Sequence, residues 1–129
     1  MNLDDDDTVD ELPARPRKVI PPADRGLLEL AGRAIGAVHV EDVDGENWVN
    51  LHFADGSTIY HWNPLLHGDD AFNLAVDIDL DVFQAVTYRE AQVAGALQST
   101  IFEPWGGDKR AATRRAIVRA AAEIGKQRS

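Results

Sequence analysis

The chain has 129 residues, 44% of them hydrophobic, with 22 acidic against 13 basic side chains and no cysteine. That length suits one domain with a core of its own, and the missing thiols exclude disulfides, zinc-thiolate sites and cysteine nucleophiles. No apolar run approaches the roughly 20 residues of a membrane span, and a start of Met1-Asn2-Leu3 before Asp4 to Asp7 is the reverse of a secretory signal, so a soluble cytoplasmic protein is expected.

Residues 1–22 carry a net charge of −3 and read as an acidic, disordered leader, with Pro13, Pro16, Pro21 and Pro22 opposing regular pairing. Residues 23–129 read as a single α/β domain. Its body, residues 23–107, has a net charge of −11, whereas residues 108–129 have a net charge of +5. Such a body repels nucleic acid and anionic membranes, so neither is an expected partner. The basic end can bind phosphate or complement the chain's own acids, and the second arrangement is the commoner one.

A first helix is predicted from Asp24 to Ile35, capped by Asp24, with Leu27, Leu28, Leu30, Ala31, Ala34 and Ile35 on its apolar face and Gly36 as its stop. A three-strand meander follows: Ala37 to Val43, Trp48 to Phe53 and Ser57 to Trp62, turning at Asp44-Gly45 and Asp55-Gly56. A two-residue turn at Asp55-Gly56 sets Phe53 opposite Thr58, Leu51 opposite Tyr60 and Val49 opposite Trp62. On the other face it sets His52 opposite Ile59 and Asn50 opposite His61.

Asn63-Pro64 breaks the third strand. A second helix is predicted from Asp69 to Ile78, apolar almost all round and therefore well buried. Val82 to Tyr88 reads as a fourth strand. Ala91 to Phe102 fits helix by composition and strand by its alternation at Val93, Gly95, Leu97, Ser99 and Ile101. The strand assignment supplies a hairpin partner for Val82 to Tyr88. Asp108 caps a closing alanine-rich helix that Gly125 ends. The expected fold class is α+β: an antiparallel sheet of about five strands with helices packed on it, in the order α-β-β-β-α-β-β-α.

Two segments carry a resemblance. His61-Trp62-Asn63-Pro64-Leu65 followed by Gly68-Asp69-Asp70-Ala71-Phe72-Asn73-Leu74-Ala75-Val76, and the closing run from Ala111 to Lys126, resemble the central motif and the last helix of the phage ABA sandwich family. The resemblance spans roughly residues 24–126. It implies a phage or prophage origin and a small α/β sandwich, but no activity and no catalytic residues.

Four groups of residues could carry function. His39, His52 and His61 could share a strand face as weak metal ligands, although no nearby acid but Glu41 completes a set. His67, Asp69 and Asp70 cluster at a helix start, where two carboxylates and an imidazole could act as acid and base, or simply complement the helix dipole. Trp62 with Asn63, and Trp105 with Lys109 and Arg110, precede two helix starts. As exposed indoles they would form a ligand or partner surface; as packed ones they would pin the helix ends to the sheet. Arg114, Arg115 and Arg119, with Arg110, are the nucleic-acid candidates.

The chain has no Gly-x-Ser-x-Gly, His-Glu-x-x-His or Gly-x-Gly-x-x-Gly, so no enzyme and no cofactor are expected. The expected role is a protein-interaction module acting on a host or phage protein, as a monomer or homodimer. Binding of a small anionic, nucleotide-like ligand, or of nucleic acid through the last helix, remains open.

Overall fold

The computed structural model describes residues 19–128, and the predicted leader lies outside them up to residue 18. Among the described residues, three helices and six strands run in the order α1 (Pro22–Ala34), β1 (His39–Asp42), β2 (Val49–His52), β3 (Thr58–Trp62), α2 (Gly68–Asp77), β4 (Asp81–Ala85), β5 (Glu90–Ala94), β6 (Ile101–Pro104) and α3 (Lys109–Arg128). A 3-10 turn at Val86–Tyr88 follows β4, which shortens the strand predicted to reach Tyr88.

The α+β class and the antiparallel pairing are as expected, but the single sheet of about five strands is not. The strands form two three-stranded sheets, β1-β2-β3 and β4-β5-β6. The strand count also differs: Ala91 to Phe102 holds two strands rather than one. Gly95 turns the chain at φ +152°, where an added Cβ would stand 3.1 Å from Leu80 Cδ2 and 3.3 Å from the Asp79 carbonyl. Val93 and Ile101, read as positions along one strand, are partners across neighbouring strands.

The first helix starts two residues earlier than predicted. Pro22 occupies its first turn, where a fixed φ and a missing N–H do no harm. Asp24 therefore lies inside the first turn and makes no cap; its carboxylate instead takes Arg115 of α3 at 3.2 Å. Ile20 is already buried in the core, ahead of the expected domain boundary. At the other end Gly36 does stop the helix, at φ +99°. The Gly36 N–H donates to the Arg33 carbonyl and the Ala37 N–H to the Gly32 carbonyl, the paired bonds of a Schellman turn.

The β2–β3 hairpin departs from the two-residue turn and then recovers. Phe53 pairs with Ser57, so three residues form the loop and Gly56 takes φ +89°. This sets Leu51 opposite Ile59 and His52 opposite Thr58, each one residue off the predicted register. A bulge at Tyr60 and His61, the latter at φ 58°, restores the count, so Val49 faces Trp62 as predicted.

The closing helix α3 is the centre of the molecule. Asp108 caps it as expected, its carboxylate accepting the Ala111 N–H at 3.0 Å. Packed against α1, α2, β5 and β6, it buries Ala116, Ala120, Ala121, Ala122, Ile117 and Val118 on more than one side, and small side chains allow that many neighbours to approach. Gly125 does not end it. The residue is buried in the last turn, and a Cβ there would fall on the Leu30 carbonyl of α1. The helix runs on to Arg128, whose guanidinium donates to the Ala34 carbonyl. The second sheet presents Val82, Val93 and Ile101 as one cross-strand row and Gln84, Ala91 and Glu103 as another.

Candidate functional site

The second helix is less covered than its sequence predicts. Ala71, Leu74 and Ala75 are buried, but Phe72 is 67% exposed and Val76 56%. These two stand one turn apart on the same face, so they form a continuous apolar ridge. Beside the ridge, between α2, β4 and the first turns of α3, runs an open groove of about 680 Å³. Ala71, Ala75, Leu80 and Ile117 supply apolar lining, Val82 and Gln84 come from the edge strand β4, and Gly68 leaves room where α2 begins.

The polar lining has one sign. Lys109, Arg110 and Arg114 border the groove, and none of its lining residues is a carboxylate. In a chain of net charge −9, this is a local reversal. It arises because α3 puts its basic first turns against the apolar side of α2. Arg110 has no hydrogen-bond or ion-pair partner among the described residues. Arg114 is positioned by its Nε, which donates to the Leu65 carbonyl at 3.0 Å.

Trp105 fixes one end of the groove. Its indole N–H donates to Gln84 Oε1 at 2.8 Å, Gln84 Nε2 donates to Thr113 Oγ1 at 2.8 Å, and Thr113 Oγ1 donates to the Lys109 carbonyl at 2.8 Å. Lys109 Nζ lies 4.5 Å and the Arg89 guanidinium 5.4 Å from the indole centroid. The chain of bonds ties β4, the residue following β6 and the start of α3 together, so Lys109 is held at the rim.

The other predicted residues take different places. Trp62 is 3% exposed and belongs to the core, so the surface of two exposed indoles does not form. Asn63 is buried with its polar atoms engaged. Its N–H donates to Asp70 Oδ2 at 2.9 Å, its Nδ2 to the Asn47 carbonyl at 2.6 Å, and its Oδ1 accepts the Leu65 N–H at 3.0 Å. Asp70 thus reaches back to the turn instead of capping its own helix. Burial pushes its carboxyl above the ordinary carboxylate range and the neighbouring Asp69 charge adds to this, against the opposing pull of the Asn63 N–H and of His67. His67 occupies the cap position of α2 without a side-chain cap bond. His67, Asp69 and Asp70 therefore organise the turn into α2.

The histidines divide. His39 and His52 are direct strand partners with rings stacked at 5.5 Å, and His52 Nε2 lies 2.9 Å from Glu41 Oε1. The hydrogen bonds from His52 and Asn50 hold the Glu41 carboxyl below its ordinary value. His61, on the bulge, packs on Trp48 at 4.4 Å. Among the described residues no three His, Cys, Asp or Glu side chains are grouped so as to hold a metal.

Three of the four nucleic-acid candidates, all but Arg110, are tied inward. Arg115 forks onto Asp24, Arg119 bonds Glu103 Oε1 at 2.7 Å and the Phe102 carbonyl at 2.9 Å, and Arg114 bonds Leu65. The basic helix thus complements the acidic body. Sequence reasoning found the cations of the groove but missed Phe72 and Val76. The available signal was helical spacing: Phe72 and Val76 share a face with the polar Asp69 and Asn73, opposite Ala71, Leu74 and Ala75.

No helix is long and apolar enough to cross a membrane among the described residues. No protein-family model matches the chain, and neither the curated proteins nor the solved structures give a match.

Proposed function

We propose that the protein is a non-catalytic interaction module whose groove between α2, β4 and α3 takes an acidic, partly apolar segment of a partner protein. The observation that carries this reading is the lining: three cations, no carboxylate and the exposed Phe72–Val76 ridge, on a chain otherwise strongly acidic. Apolar contact supplies area while the cationic rim orients an acidic segment and disfavours a basic one. The motif resemblance points to a protein of a phage or of its bacterial host as the partner, met in the host cytoplasm.

A second reading, a small anionic ligand with an apolar body, is favoured by the groove's volume of about 680 Å³, within the range of small-molecule sites. Fluorescence anisotropy with a labelled acidic amphipathic peptide tests the first. Binding is expected to weaken with salt and to fall at least about tenfold in K109E/R110E, a loss of about 1.4 kcal/mol. Equal binding of the charge-reversed peptide overturns it. Displacement of the peptide by a small alkyl phosphate, with no size dependence on the peptide, moves the assignment to the second reading.

A further inference from the structure

The groove's preferred occupant has a counterpart within the chain. Residues 1–12 hold six acidic side chains and no basic one, with Leu3, Val9 and Leu12 spaced among them. They have the chemistry that the groove lining complements, and they are tethered close by. The chain enters the described residues at Val19, and Ile20 is seated in the core. Four residues on, Asp24 is clamped to Arg115 of α3. From Arg115 back to Arg110 at the groove rim is five helical residues, a rise of about 7.5 Å. The eight residues from Leu12 to Ile20 can span up to about 28 Å, several times that rise.

Resting on the reading of the groove given above, we propose that residues 1–12 dock intramolecularly in the groove, so that a partner's acidic segment must displace the chain's own. The tether gives the leader an effective concentration on the order of millimolar. A contact too weak to be seen between separate molecules therefore occupies the groove for much of the time, and weak partners are screened out. Lys109 and Arg110 meet Asp4 to Asp7, and the Phe72–Val76 ridge receives an apolar side chain of the leader. A free partner segment competes by mass action, so apparent affinity for it falls by the fraction of time the groove is taken.

The missing native thiols make the test direct. A nitroxide attached to T8C in the full chain reports proximity by broadening backbone amide resonances. The proposal requires broadening concentrated at Phe72, Val76, Lys109 and Arg110, reduced by salt and abolished in T8C/K109E/R110E, whose spectrum otherwise stays that of a folded protein. Broadening no stronger there than on the β1–β2–β3 sheet overturns it, as does broadening unchanged by the charge reversal.

A second measurement separates this idea from the groove reading itself. The acidic peptide is titrated into wild type and into full-length D4N/D5N/D6N/D7N. About tenfold tighter binding to the neutralised chain supports displacement. Equal, measurable binding to both rejects the docked leader and leaves the groove reading standing. Binding to neither rejects both.

Discussion

Gly125 of α3 faces the carbonyl of Leu30 in α1 with no space for a methyl group between them. The two helices meet there backbone against side-chain-free backbone, and this contact sets how closely they pack. G125A is expected to destabilise the protein by about 1–3 kcal/mol through overpacking. Gly26, in the same α1, has nothing within 4 Å of where its Cβ would be. G26A is expected to stabilise by about 0.5–1 kcal/mol, because alanine loses less backbone freedom in a helix. Urea unfolding of both variants checks the pair, and equal effects of one sign would count against the close crossing.

Asn63 holds the turn between β3 and α2 through five partners: Asp70, Asn47, Leu65, Leu66 and His67. N63A keeps the backbone bonds but strands the Asn47 carbonyl and the Leu65 N–H in a largely closed site. Each such loss costs about 1–3 kcal/mol. The expected result is a drop in midpoint with an unchanged denaturant slope, since the compactness of the end states does not alter.

Asp70 makes stability depend on pH in an identifiable direction. Its carboxyl titrates above its ordinary value in the folded protein, mainly because burial disfavours the charge. Between the unfolded and folded values the native state holds more protons, so this group's contribution falls as pH rises through that window and the penalty is complete above it. D70N keeps an oxygen for the Asn63 N–H and has no charge to desolvate. Its stability relative to wild type is expected to be greatest near neutral pH and to decline as pH is lowered through the carboxylate range. Urea melts of both proteins from about pH 3 to 7 measure the difference; a difference that grows on acidification contradicts the assignment.

Gln84 joins Trp105 to Thr113 with both ends of its amide. Q84A is expected to cost about 1–3 kcal/mol and to loosen Lys109 at the groove rim. Two readouts follow: a lower melting temperature, and weaker peptide binding beyond what the stability loss explains. Near-ultraviolet circular dichroism of the tryptophans gives an independent check on the indole.

Local chemistry was legible where one short signal decides the backbone. Gly36 stops α1, Asp108 caps α3, and Val49 faces Trp62. What was not legible depended on distant partners. Ala91 to Phe102 reads as one strand because Val93, Gly95, Leu97, Ser99 and Ile101 alternate, yet the chain turns at Gly95, where Leu80 and the Asp79 carbonyl stand against any side chain, a distant contact that periodicity does not register. Gly125 looked like a helix stop because its reason for being glycine, Leu30, is 95 positions earlier. At the candidate site Lys109 and Arg110 were visible as cations beside Trp105. The groove was not, because it exists only once α3 is laid beside α2 and leaves Phe72 and Val76 outside.

The clamp between Asp24 and Arg115 joins residues 91 positions apart, and it bears on how the protein is made. Helix α1 has its main cover in α3, which is translated well after it. At about 5–20 residues per second, α1 waits roughly 5–18 seconds for α3. During that interval Leu28 and Ala31 have no α3 to cover them, so the nascent chain is open to chaperones and to aggregation until α3 has been made. Closure of so long a loop also slows refolding of the finished chain.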